Sequence, residues 1–154
     1  MLSKWTLRSL SECIVHKKGF AFKSKDYRKS GTPVVKVTNL TKDGIDMAAV
    51  VFVGADIAKA NTSVALNAGD IIITTVGSWA SNPASVVGKT IKVPSEAEGA
   101  LLNQNAVRLR PKDDLIDKQF LYYLLKNGSF GKYLLAGAQG SANQASITLN
   151  DIYI

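Results

Sequence analysis

Gly69-Asp70-Ile71-Ile72-Ile73-Thr74-Thr75-Val76 is the stretch on which the fold turns. Gly69-Asp70 makes a turn, and every residue from Ile71 to Val76 is β-branched and uncharged, which favours a strand and leaves neither face suited to water. A strand from Asp70 to Val76 therefore belongs at the centre of a sheet. On its amino-terminal side the chain reads as short extended pieces: Gly19 to Phe22, Pro33 to Thr38 with its β-branched run, and Val50 to Val53. Between them lie a polar loop from Lys23 to Gly31 and a turn at Thr41-Lys42-Asp43-Gly44, while Asp56 to Asn61 suits one or two helical turns.

Downstream, Gly77-Ser78-Trp79-Ala80-Ser81-Asn82-Pro83 is a loop, Ser85 to Val93 and Leu101 to Leu109 are strand-like, and Pro94 to Gly99 is an acidic turn. A helix is expected from Asp117, which can cap it, with Ile116 and Leu121 as a hydrophobic staple and Asn127-Gly128 as a stop. Phe120, Leu121, Leu124 and Leu125 then share one face and pack on the sheet. A second helix is read from Ser129, as its cap, through Leu135; Gly137 to Ala145 is a polar loop, and Ile152-Tyr153-Ile154 is a last extended piece. The expected fold is α/β in the mixed α+β sense: a twisted, mainly antiparallel sheet with a few helices, the C-terminal helical pair packed on it. Residues 1–154 are expected to form one domain.

A chain of 154 residues with 46% hydrophobic and 20% charged residues has an ordinary globular composition, and no tract approaches a membrane-spanning length. The absence of a secretory signal at the amino terminus and the lone Cys13 point to the reducing cytoplasm. Cys13 and His16 are spaced like half a zinc site, but a second pair is missing, so no metal is expected. The net charge of +7 is unevenly spread: residues 1–42 hold ten basic groups against two acidic ones, and the rest holds nine against ten. That basic segment fits a polyanionic partner, or a solvated lysine face; its interleaved Gly, Ser and Pro form no amphipathic helix for a membrane.

Catalytic signatures are missing. No phosphate-binding glycine motif is present, and Gly88-Lys89-Thr90 lacks the upstream glycine. Ser/His/Asp catalysis would have only His16 to use, and the acidic residues, Asp113-Asp114 included, form no two-metal cluster. Ser81-Asn82-Pro83-Ala84 lacks the second proline and the aromatic of an amino-methyltransferase motif. No catalytic residue is assigned.

Reading DNA requires cations for phosphates and amide, hydroxyl or guanidinium groups for base edges. Lys23, Lys25, Arg28, Lys29 and Lys36 are the phosphate-binding candidates, and Ser78, Trp79, Ser81, Asn82, Gln139, Ser141, Asn143 and Gln144 the base-reading candidates. Asn103-Gln104-Asn105 reads as half-buried strand scaffolding in preference to a base contact. Trp79 either meets a partner or folds back on its own domain, and Gln139 to Gln144 is either a reader or a mobile loop.

The succession of Gly19-Phe20-Ala21-Phe22-Lys23-Ser24, Asp26-Tyr27, Gly31-Thr32-Pro33-Val34-Val35-Lys36-Val37 with Asn39-Leu40, Gly69 to Ile73, Val76-Gly77-Ser78, Val87-Gly88, Leu102-Asn103-Gln104-Asn105 with Arg108-Leu109, Phe120 to Leu125 and Gly140-Ser141 resembles a target recognition domain of type I restriction-modification specificity subunits. The resemblance covers nearly the whole chain. It implies a non-catalytic domain that reads one half of a split double-stranded DNA target. A modification (methyltransferase) subunit and a restriction subunit would be its partners. S-adenosylmethionine, ATP and Mg would belong to those subunits, with no cofactor here. Family members usually pair two such domains, each followed by a long spacer helix, so this chain is expected to be a half-subunit or an excised domain that works with a second recognition half. Two rival readings stay open: an RNA or single-strand binder, since Gly128-Ser129-Phe130-Gly131 resembles the KH clamp without its basic residue, and a non-catalytic protein-interaction adaptor or inhibitor.

Overall fold

The computed structural model describes residues 6–79, 87–141 and 143–153. Its centre is β4 (Ile71–Thr74), every residue of which is buried. Alternation along the strand sends Ile71 and Ile73 into one hydrophobic cluster and Ile72 into another, so β4 is the wall between two halves of the core. Burying each such side chain stabilises the fold by about 1.5–3 kcal/mol, which explains why the stretch carries no polar alternation.

β4 lies inside a four-stranded antiparallel sheet ordered β1-β8-β4-β6, where β1 is Ile14–Lys18, β6 is Thr90–Lys92 and β8 is Ala106–Pro111. Beyond Thr75 the chain continues as β5 (Val76–Gly77), so the expected strand is two strands with a break between them. β5 pairs with β10 (Gln144–Ser146), which pairs with β9 (Gln139–Ser141). A third sheet sets β2 (Thr32–Val35) between antiparallel β3 (Val51–Val53) and parallel β7 (Leu101–Leu102). The expected mainly antiparallel sheet is thus divided among three, with two short helices, α1 (Leu10–Cys13) and α2 (Ala55–Ala60), on the amino-terminal side.

α3 (Lys118–Lys126) starts as expected, with the Asp117 carboxylate accepting from the Phe120 N–H at 2.8 Å. Only Leu121 and Leu125 face the core; Phe120 is 57% and Leu124 43% exposed, correcting the wider apolar face expected of this helix. These two line an apolar cleft of about 600 Å³ with Leu10, Cys13 and Leu115. The cap of α4 (Gly128–Gly137) is Asn127, not Ser129: the Asn127 Oδ1 accepts from the Ser129 N–H at 2.8 Å, and the same residue ends α3. Both helices pack against the face of β4 that carries Ile71 and Ile73.

Three further expectations are corrected. Leu101 to Leu109 breaks into β7 and β8 because Asn105 adopts φ 68° and the buried Asn103 accepts the Gln104 N–H on its own Oδ1, making a turn. The β-branched run after Pro33 stops at Val35, and Val37–Asn39 is a 3-10 turn closed by Asn39 Oδ1 accepting from Lys36 N–H at 2.9 Å. At the other end, α5 (Leu149–Ile152), started by a capping box of Thr148 and Asp151, takes Ile152 out of the expected extended piece; Tyr153 follows as its extended C-cap, and Ile154 lies outside the described residues. Residues 80–86, which include most of the loop read after Gly77 and the start of the strand read from Ser85, lie outside the described residues. Among the described residues no helix is long and apolar enough to cross a membrane.

Candidate nucleic-acid interface

The four-stranded sheet has two unlike ends. At one end, Asp70 is fully buried and bound by the Arg110 guanidinium through Nε at 2.7 Å and a terminal nitrogen at 2.8 Å, with the Asn67 N–H as third donor at 2.8 Å. This bidentate pair raises the Arg110 pKa above its ordinary value against the opposing effect of burial. Arg108 donates to the Ala65 and Ser63 carbonyls, and burial lowers its pKa, with Arg110 adding to the effect and Asp70 opposing it. Both guanidiniums of β8 are thereby occupied in holding the chain before β4.

The other end gathers the predicted loops. Antiparallel register puts Lys18 beside Val107, Thr74 beside Ala106 and Ile73 beside Thr90, so the carboxyl ends of β1 and β4 and the amino ends of β8 and β6 coincide. Three hydrogen bonds knit this end: Gly19 N–H to Ala106 O at 3.0 Å, Phe20 N–H to Leu102 O at 3.0 Å, and Thr75 N–H to Asn105 O at 2.8 Å. Gly19 is required here, since a Cβ would lie 1.7 Å from the Asn103 carbonyl oxygen. From this end β5 leads outward to Ser78 and Trp79.

β5 brings the Ser78–Trp79 loop and the Gln139–Gln144 segment together. The segment is a β9–β10 hairpin, correcting the expectation of an unstructured polar loop. The Trp79 indole N–H donates to the Ser141 carbonyl at 2.7 Å, and its ring packs against the core cluster beneath. Trp79 therefore folds back on its domain and clasps the hairpin. The Ser78 carbonyl accepts from the Val87 N–H, fixing the two ends of the intervening segment on each other. Gln139, Ser141, Asn143 and Gln144 are exposed, whereas Ala145 is fully buried and anchors β10. Ser81 and Asn82 lie outside the described residues.

The phosphate candidates follow Phe20 in the chain. Lys23, Lys25, Arg28 and Lys29 are exposed, and Lys23, Lys25 and Lys29 make no ion pair within 4.0 Å among the described residues. Arg28 differs: its guanidinium carbon and an Asp56 carboxylate oxygen both approach Gly54, at 3.0 and 2.9 Å from where a Cβ would stand, so its charge is partly balanced. Lys36 is half-buried, its ammonium 5.7 Å from the Tyr27 ring centroid. It follows Val35, whose carbonyl accepts from the Asn103 N–H at the same end of the sheet. No hydrogen bond joins this segment to the hairpin among the described residues; the segment leads off from β1 and packs through Phe22 and Tyr27 on the half of the core that holds Ile72, and the hairpin packs through Ala145 on the half that holds Ile71 and Ile73.

The remaining sequence candidates are structural. Gly88 takes φ 79° and Lys89 donates to the Leu40 carbonyl, its pKa lowered by burial first and by Lys126 second, with Asp43 opposing. Cys13 is buried, His16 Nδ1 hydrogen-bonds the Tyr153 hydroxyl, and no group of three metal-ligating side chains occurs among the described residues.

Comparison with known proteins bears on the family and the fold. Residues 2–154 match the family described as type I restriction modification DNA specificity domain. The type I restriction enzyme MjaVIII specificity subunit of Methanocaldococcus jannaschii is 29% identical over 133 residues, covering 84% of this chain and 30% of that protein. A chain from a structure of the type I R-M system, concerned with complex assembly and conformational transition, shares the fold with a TM-score of 0.63 at 17% identity, over 100% of this chain and 36% of the other. The HsdS subunit from Thermoanaerobacter tengcongensis gives 0.59 at 18% identity, over 94% and 31%. The S subunit from M. genitalium gives 0.56 at 18%, over 97% and 32%. The chain thus spans about a third of the length of the proteins it matches.

Proposed function

We infer the function from one premise: this chain belongs to the family of type I restriction modification DNA specificity domains. It reads one half of a split double-stranded DNA target, as a single recognition domain, for a complex in which other subunits methylate adenine and cut. The observation that carries this reading is convergence. Ser78–Trp79 and Gln139–Gln144, distant in sequence, are joined through β5 and β10 at one end of the sheet, and the lysine-rich segment leads off from that end.

The division of labour follows from the side chains. Lys23, Lys25 and Lys29 supply uncommitted charge for phosphates, with Arg28 and Lys36 as weaker contributors. Gln139, Ser141, Asn143 and Gln144 present amides and hydroxyls that match base-edge patterns, an amide being able to bond adenine N6 and N7 together. Trp79 positions the hairpin. No residue is assigned a catalytic role, and S-adenosylmethionine, ATP and Mg would be held by the modification and restriction subunits. A second recognition half would complete the target. The cytoplasm, where DNA and those subunits meet, is the proposed location.

Salt titration tests the reading. With about five phosphate contacts, duplex binding should fall with a log-log slope near −4 to −5. A pool of randomised duplexes selected on the chain should yield a fixed short motif, and replacing Gln139 to Gln144 should change it. Binding that ignores salt would favour the adaptor reading, and preference for RNA over duplex in competition would favour the single-strand reading.

A further inference from the structure

We propose that Phe20 fronts a second DNA contact, separate from the hairpin: a cleft that takes one nucleotide turned out of the bound duplex, its base against the Phe20 ring and its phosphates on Lys23 and Lys25. The inference rests on the DNA reading above and deepens it. Phe20 is 46% exposed although its backbone is held firmly, the N–H by Leu102 O and the residue itself bridged to Asn103. Its ring meets Phe22 edge-on at 5.0 Å, and Phe22 is buried, so the exposed ring stands on a packed base. Fixed on a packed base and opening on a cleft with lysines, the ring is a platform against which a base can stack.

The cleft beside it has the size and chemistry of a nucleotide site. It measures about 460 Å³ and places Phe20 with Lys23, Lys25, Asp26, Asp56 and Asn61. Aromatic rings bind bases through their π-faces whatever the sequence, and neighbouring lysines follow the backbone. Carboxylates repel phosphate, so Asp26 and Asp56 confine the phosphates to the two lysines. The same carboxylates accept hydrogen bonds, as does the amide oxygen of Asn61, whose Nδ2 gives one of its two N–H groups to the Ile57 carbonyl at 2.8 Å. An acceptor-rich lining fits a base that carries an exocyclic amino group, such as adenine or cytosine, better than thymine. The cleft lies where the chain leaves the loop-bearing end of the sheet.

The full chain, a fluorescein-labelled mixed-sequence duplex of about 30 base pairs and anisotropy titrations at several salt concentrations test this. F20A should lower affinity about 10-fold at every salt concentration with no change of slope, since stacking releases no counterions. F20L, which keeps the apolar bulk and so the packing on Phe22, should lose nearly as much, while F20W should stay within about 2-fold. K23Q/K25Q should flatten the slope by about 1.8. 2-Aminopurine scanned along a duplex that carries the selected motif should change its emission at one position with the parent and not with F20L. Full affinity in F20A and F20L, with K23Q/K25Q still flattening the slope, would overturn this proposal and leave the DNA reading standing. Salt-independent binding by the parent would overturn both. Binding of free dAMP as tight as that of DNA would assign the cleft to a free nucleotide instead.

Discussion

The two ends of the four-stranded sheet use cations in opposite ways. At the Asp70 end, Arg108 and Arg110 are bound to a buried carboxylate and to carbonyls, so their charge serves the fold. At the loop end, Lys23, Lys25 and Lys29 hold no ion pair among the described residues, so their charge is available to a partner. Net charge in the sequence counts both alike; the fold decides which part is left uncommitted. Four variants bear on that contrast, in descending order of effect on stability.

R110M attacks the committed end. It leaves the buried Asp70 carboxylate with the Asn67 N–H as its remaining strong donor and should cost about 3–5 kcal/mol in urea denaturation. A loss under about 1 kcal/mol would mean that the two ends do not differ as described. G140A strains the loop end, because a Cβ there would lie 2.0 Å from the Gln144 carbonyl oxygen. It should cost about 1–3 kcal/mol, and hydrogen exchange should show the loss concentrated in β9 and β10.

W79F removes the donor to Ser141 while keeping a ring against the core. It should cost about 1 kcal/mol and broaden the motif selected from randomised duplexes, since the hairpin loses its clasp. K23Q/K25Q/K29Q should alter stability by no more than about 0.5 kcal/mol. It should nevertheless flatten the salt slope by about 2.7, the reverse of the pattern expected for R110M. A destabilisation as large as that of R110M would show these lysines to be structural after all.

Legibility in the sequence followed the same division. β4 could be read because six consecutive β-branched residues admit few environments, and α3 because Asp117, Ile116 and Leu121 each add a separate signal at its start. Local capping chemistry was also present for α5, where Thr148 and Asp151 stand at capping-box spacing, but a helix of four residues leaves no periodicity to support it. The same holds for β5, a two-residue strand whose partner, β10, is remote in the chain; its pairing is a tertiary fact. The Asp70–Arg110 pair joins two strands and could not be told from ordinary surface charges. For the candidate interface, the sequence offered residue types without their grouping, which depends on register. The wide apolar face read on α3 failed for a related reason: Phe120 and Leu124 fall on the correct half of the helix but beyond the stripe that meets the sheet.

β10 holds its place through Ala145, whose methyl is enclosed while its neighbours Gln144 and Ser146 face outward. Anchorage and presentation are thus assigned to alternate residues of one strand. On the proposed reading, drift at the outward positions would meet little resistance from folding, so the target word could change by single amino-acid steps, each through a well-folded intermediate.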